Sequence, residues 1–205
     1  EDEIKKAERP LILAGGGISC SGISREEFRE YVKEAKIPVV TTYNSVDLIE
    51  SDDPYFVGRV GVKGTRAGNF AMQNCDLLLV LGSRLPVPAT GYNYQTFARD
   101  AKVIVVDIDK EEHSKNTVRI DKFIHSDLKD FLNENRPPAN LFSTNVLSWQ
   151  QQCIRWRDSW PIIPIQNNKS NDTGIDLYDF TGKLNKFKPY DSVVISDAGS
   201  AYYVC

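Results

Sequence analysis

Residues Pro10 to Ile23 read PLILAGGGISCSGI, a strand-length apolar run, then three glycines, then small polar residues leading to Ser24. A continuous apolar run of that length fits a strand covered on both faces, and glycine directly after it lets the backbone turn tightly. The next segment, Arg25 to Ala35, has helical apolar spacing, and Ser24 followed by Glu27 forms a capping box at its start. Strand, glycine loop and helix in this order open a βαβ unit of a parallel sheet.

The same alternation continues outward to about Arg136. Strands are expected at Pro10 to Ala14, Pro38 to Thr41, Tyr55 to Gly58, Leu77 to Leu81, Lys102 to Asp107 and Asp121 to His125. Helices fit at Arg25 to Ala35, Arg66 to Cys75 and Asp127 to Asn135. The pattern predicts an α/β fold, a Rossmann-like, doubly wound parallel sheet of about six strands over residues 1–136. The proline-rich stretch Arg136 to Asn145 (RPPANLFSTN) reads as a boundary, so 137–173 are expected to be a linker with a connector helix. In that helix Trp149, Cys153, Trp156 and Trp160 share one stripe, expected to dock on a neighbouring domain. A polar loop from Gln166 to Thr173 precedes a helix from Asp176 to Lys186.

The last stretch, Asp191 to Cys205 (DSVVISDAGSAYYVC), reads as a buried strand, a glycine turn and the opening of a helix. One such unit cannot cover both faces of its strand, so residues 174–205 are expected to be a truncated second α/β unit and the chain a piece of a larger protein.

Composition narrows the function. A net charge of -3 and a pI near 5.5 give no basic footprint, so no nucleic-acid partner is expected. No apolar stretch reaches the roughly 18 to 20 residues that span a bilayer, and the start EDEIKKAERP is too polar for a signal peptide. A cytoplasmic protein without membrane partners is the expectation. Cys20, Cys75, Cys153 and Cys205 are scattered without a CxxC pair, which suits reduced thiols.

Glycine loops carry the candidate site. Gly15, Gly16 and Gly17 follow the first strand, where bare backbone can approach a phosphate near a helix start. The spacing is not GxGxxG, and Ile23 stands where a P-loop needs lysine, so a ligand-free tight turn is the other reading. Three more loops fall at the carboxyl ends of expected strands: Gly61 to Thr65, Gly82 to Arg84 and Asp107 to Asp109. Lys63 and Arg84 suit a diphosphate, Thr65 with Gly64 opens a helix, Gly82 and Ser83 flank Arg84, and Asp107 suits a ribose hydroxyl. His113 is expected on a surface turn and His125 at a strand end, both structural. There is no HExxH, no GxSxG and no paired metal-ligand spacing, so neither a catalytic residue nor a metal ligand is assigned.

These blocks together resemble a family. RPLILAGGGIS, IPVVTT, DDPYFVGRVGVKGTRAGNFAMQNCDLLLVLGSR, AKVIVVDIDKEEHSKN and HSDLKDFL follow the order of the central domain of thiamine diphosphate-dependent enzymes of the acetohydroxyacid synthase and pyruvate oxidase type. VVISDAGSAYYV resembles the opening of that family's diphosphate-binding domain, so 174–205 would be its truncated start. The resemblance implies a 2-keto acid decarboxylase or carboligase, acetolactate synthase-like, with thiamine diphosphate and Mg²⁺ in the full-length parent. It implies missing N- and C-terminal domains, a small 2-keto acid substrate, a homodimer or homotetramer, and a fragment inactive by itself.

In relatives the central domain carries FAD, ADP, a coenzyme A portion or nothing. Gly15, Gly16, Gly17, Gly64, Thr65, Gly82, Ser83, Arg84, Asp107 and Asp127 fall where relatives touch that nucleotide, and Gly199 and Ser200 match the first edge of the diphosphate domain. Two departures weigh against a flavin: Leu85-Pro86-Val87-Pro88 replaces a pair of aspartates, and Lys63 replaces a histidine. GGGISCSGIS, Gln73 to Asp76 and GSRLPVPA also resemble NAD-binding pieces of sirtuin deacylases, without the histidine and CxxC pairs those need. A nucleotide-free spacer that builds the dimer is the third reading.

Overall fold

The computed structural model describes residues 2–136, 144–162, 174–189, 191–197 and 199. In chain order the elements are α1 (Asp2–Lys6), β1 (Pro10–Ala14), α2 (Gly17–Cys20), α3 (Arg25–Ala35), β2 (Val39–Thr41), β3 (Phe56–Arg59), α4 (Arg66–Asn74), β4 (Leu77–Leu81), α5 (Val87–Thr90), β5 (Lys102–Asp107), β6 (Lys122–His125), α6 (Leu128–Glu134), α7 (Thr144–Ser159) and α8 (Leu177–Phe187).

All six strands pair in parallel in the order β3-β2-β1-β4-β5-β6. This is the doubly wound, Rossmann-like sheet that the sequence predicts. Its apolar runs are continuous because both faces are covered, and successive side chains divide between two cores. Leu11 and Leu13 join Leu78, Val80, Val103 and Val105 on one face. Ile12 and Ala14 join Leu79, Leu81, Ile104 and Val106 on the other.

Helix α3 covers the second face with Phe28, Tyr31, Val32 and Ala35. Its capping box is formed: Ser24 Oγ accepts from the Glu27 N–H at 3.1 Å, and the Glu27 carboxylate accepts from the Ser24 N–H at 2.7 Å. Such a cap contributes about 1 kcal/mol. The reach of Glu27 back to the Ser24 backbone and hydroxyl also holds its carboxyl below the usual range. On the first face α4 lies close to β3, where a Cβ on Gly68 would stand 2.4 Å from the Arg59 carbonyl oxygen.

The tryptophan stripe corrects an expectation. Trp149 and Cys153 are buried in the first-face core of the sheet, with Trp156 packed against it. Trp149 Nε1–H donates to the Pro10 carbonyl at 2.9 Å, and its ring meets Trp156 edge to face at 5.7 Å. Arg157 Nη1 donates to the carbonyls of Asp53 and Phe56 at 2.7 and 3.0 Å. Helix α7 thus packs within the compact unit that runs from Glu1 to Ser159. The physical reason is that β1, β3 and α4 leave an apolar face which the stripe covers. Burial raises the thiols of Cys75, to about 12, and Cys153, which makes both poor nucleophiles.

The second unit, Trp160 to Cys205, holds α8, capped by Asp176 accepting from the Asp179 N–H at 2.9 Å. The expected buried strand after Asp191 is not formed: residues 192–197 have no strand, and Val193 and Ile195 are 84% and 92% exposed. Strand N–H and C=O groups need a neighbour, and no other strand stands in the described part of this unit. The loop from Gln166 to Thr173 and most of the proline-rich boundary lie outside the described residues. Among the described residues no helix is long and apolar enough to cross a membrane.

Candidate functional site

In this strand order β1 and β4 lie side by side while their connections leave in opposite directions, so a crevice opens above their carboxyl ends. The two glycine loops meet there. The Gly15 N–H donates to the Leu81 carbonyl at 2.8 Å and the Gly17 N–H to the Gly82 carbonyl at 2.9 Å. A Cβ on Gly15 would stand 2.2 Å from the Gly82 oxygen, and one on Gly17 2.8 Å from Gly82 Cα. Gly82 itself turns at φ 59, with its N–H on the Val106 carbonyl at 3.0 Å. The glycines therefore let two loops touch backbone to backbone. The result is a floor with few side chains, in which the N–H groups of Gly15 and Gly17 are already used.

Sequence reasoning missed a polar brace beneath this floor. Ser45 Oγ, fully buried, donates to the Ala14 carbonyl at 2.7 Å, and the Thr42 N–H donates to the same carbonyl at 3.0 Å. Asn44 lies against Gly16, its carbonyl 3.1 Å from where a Cβ would be. A threonine and a serine just after a strand were the available signal.

The loop after β3 is held mostly by bonds within its own segment. Thr65 caps α4, accepting from the Gly68 N–H at 3.0 Å, and its own N–H donates to the Arg59 carbonyl at 2.9 Å. Gly64 fits because a Cβ there would lie 2.6 Å from the Arg59 oxygen. Asn69 pairs with both the N–H and the C=O of Gly61 at 2.9 Å. The Val62 N–H donates to the Pro88 carbonyl at 2.9 Å, which joins this loop to the one after β4. Gly64 and Thr65 thus shape the rim.

Beyond Gly82 the chain carries Ser83, buried and accepting from the Leu85 N–H at 3.3 Å, and Arg84, whose side chain is 70% exposed. Arg84 Nη2 donates to Glu112 Oε2 at 3.2 Å, and Lys115 Nζ donates to Glu112 Oε1 at 2.6 Å. The bond from Lys115 foremost, offset by some loss of water and aided by Arg84, holds the Glu112 carboxyl below the usual range. A cleft of about 230 Å³ opens beside these groups, walled by Leu85, Pro86, Tyr94, Val118 and Ile120.

Asp107 ends β5 and is buried. One oxygen accepts from the Asp109 N–H at 2.9 Å; the other lies 3.4 Å from His113 Nε2, without hydrogen-bond geometry. Burial pushes the Asp107 carboxyl up, but contact with His113 and the backbone N–H groups of Asp109 and Ile108 outweighs it, leaving the group lowered. His113 is not on the surface as expected: its side chain is 3% exposed and packs on Phe123 at 5.2 Å. The Glu111–Lys115 turn folds back over the end of β5, which no local pattern announces. Asp127 caps α6, accepting from the Lys129 N–H at 2.7 Å, and His125 Nε2 meets the Ile108 carbonyl at 2.9 Å.

Gly15, Gly16, Gly17, Gly82, Ser83 and Arg84 are thus brought together at the switch point, with Gly64 and Thr65 on one rim and Asp107 and Asp127 at the ends of flanking elements. Gly199 lies in the second unit at φ 85, and Ser200 lies outside the described residues. Among the described residues no group of His, Cys, Asp and Glu is placed to hold a metal ion.

Comparison with known proteins gives a consistent result. The family described as thiamine pyrophosphate enzyme, central domain, matches residues 2–134. The acetolactate synthase isozyme 2 large subunit of Escherichia coli (strain K12) is 33% identical over 200 residues, 96% of this chain and 34% of that protein. The acetolactate synthase large subunit of Pyropia yezoensis is 34% identical over 166 residues, 78% of this chain and 27% of that protein. A probable acetolactate synthase large subunit of Methanocaldococcus jannaschii is 43% identical over 131 residues, 64% of this chain and 22% of that protein. The chain therefore spans about a third or less of the length of these relatives.

Proposed function

This chain belongs to the thiamine pyrophosphate enzymes, whose central domain it carries, and from that premise we propose that it is part of an acetolactate synthase-like enzyme. Membership supersedes the likeness to sirtuins. The observation that carries the proposal is the similarity to the Escherichia coli large subunit, which covers 96% of the chain and so continues past the central domain. The reaction proposed is decarboxylation of a small 2-keto acid and transfer of the resulting carbanion, in a cytoplasmic homodimer or homotetramer.

Thiamine diphosphate, when bound, supplies that carbanion chemistry. We propose that Gly199 and Ser200 form only the first edge of its site; among the described residues no group of His, Cys, Asp and Glu is placed to hold Mg²⁺. The remainder of the cofactor site is proposed to come from the missing domains of the parent, so no catalytic step is assigned to this chain, which by itself would be inactive.

For the central unit we propose nucleotide binding at the switch point. The backbone floor between Gly15–Gly17 and Gly82 would take the diphosphate portion of FAD, ADP or a coenzyme A moiety, with Arg84 as its cation. The fit rests on a floor few side chains obstruct and on an exposed guanidinium beside it. Asp107 orders the adjoining loop and Asp127 caps α6. A bound nucleotide supplies negative charge that ties the loops after β1 and β4 together.

One observation favours a second reading, a nucleotide-free spacer: the N–H groups of Gly15 and Gly17 and the hydroxyl of Thr65 all have partners within the unit. Arg84→Ala in the full-length protein separates the two. Loss of a charge-assisted bond should weaken FAD or ADP binding by about tenfold or more, with the melting temperature nearly unchanged, since the Arg84 pair is exposed. Unchanged binding with a clear fall in melting temperature would favour the spacer.

A further inference from the structure

The carboxylate of Glu112 accepts from the same guanidinium that the nucleotide reading offers to a phosphate. Glu112 accepts from Arg84 at 3.2 Å and from Lys115 at 2.6 Å, so the three form a chain of two cations around one anion. Only 15% of the Glu112 side chain is exposed, whereas Arg84 and Lys115 are 70% and 55% exposed. The carboxylate is thus the inner member and the cations face outward. It is also held in place: the Glu112 N–H donates to Asp109 Oδ1 at 2.9 Å, and the neighbouring His113 is buried against Asp107 and Phe123. The turn that carries Glu112 is therefore fixed to the end of β5.

Resting on the nucleotide reading above, we infer that Glu112 is an intramolecular competitor for Arg84, a positioning residue that sets how much negative charge the site accepts. A phosphate approaching Arg84 meets the fixed Glu112 charge on its far side. It must share the guanidinium or draw it away from Glu112, while the Glu112 charge repels it. Repulsion grows with ligand charge. The diphosphate diester of FAD, with two negative charges, should be tolerated better than ADP, whose terminal phosphate adds most of a third. The geometry that holds a half-buried Glu112 beside Arg84 thereby builds charge selectivity into the turn after β5.

The test is titration of the full-length protein with FAD, ADP and uncharged adenosine, comparing wild type, Glu112→Gln and Arg84→Ala, at two salt concentrations. Glu112→Gln should tighten ADP about tenfold and FAD about threefold, leave adenosine unchanged, and lose much of this gain at high salt. A carboxylate that merely held the loop in shape would move all three ligands together, and salt would not matter. If Arg84→Ala weakens the nucleotides while Glu112→Gln leaves them unchanged or weakens them too, the competitor role is wrong and the site stands. If Arg84→Ala changes nothing, the site itself fails and this inference falls with it.

Discussion

Gly15→Ala is expected to destabilise the central unit by about 3 kcal/mol or more, the upper end for an added group in a packed interior. The new Cβ would lie 2.2 Å from the Gly82 oxygen and 2.6 Å from Ser83 Cβ, and the obstacle is largely backbone. Neither loop can yield easily, because the Gly15 N–H is held by the Leu81 carbonyl and the Gly82 N–H by the Val106 carbonyl. Gly22→Ala is the control. It shares the glycine-rich stretch and sits at φ 76, but nothing lies within 4 Å of its Cβ position, so its cost is the backbone strain alone, about 1 kcal/mol. Urea unfolding followed by tryptophan fluorescence reads both. Equal, small losses would mean that the first glycine is not there for loop-to-loop contact.

Trp149→Ala should cost about 3 to 5 kcal/mol, the range for deleting a buried aromatic side chain. It removes the first residue of the α7 stripe and the N–H that satisfies the Pro10 carbonyl at 2.9 Å. Trp149→Phe keeps most of the ring but not the donor, so it should lose about 1 to 2 kcal/mol. Differential scanning calorimetry of the full-length protein checks this, with the loss expected in the transition of the central unit. A loss confined to another transition would restore the view that the stripe belongs to a neighbouring domain.

That correction shows where sequence reading succeeds. β1 and β4 are legible residue for residue because a strand buried on both faces is apolar throughout, β5 because its apolar run lies between Lys102 and Asp107, and α3 because Ser24 and Glu27 mark its first turn. α1 was not: it buries no residue, so no apolar spacing betrays it. Nor was α5, which opens on Val87-Pro88 after Pro86 and lasts one turn. The tryptophan stripe was seen, but amphipathic spacing names a buried face without naming what covers it. The candidate site divides the same way. Glycine after a strand is visible in sequence, yet the fact that Gly15 and Gly17 face Gly82 follows from β1 and β4 being neighbours, a long-range fact. Glu112, which holds Arg84, lies 28 positions away, and nothing local in its sequence points to that partner.

The measurement that bears most directly on the central claim is turnover by the full-length protein given pyruvate or another small 2-keto acid, with thiamine diphosphate and Mg²⁺. Release of carbon dioxide and a carboligated product is expected, abolished when either cofactor is removed. Absence of turnover across a panel of such acids, in a protein shown to bind thiamine diphosphate, would contradict the acetolactate synthase-like assignment.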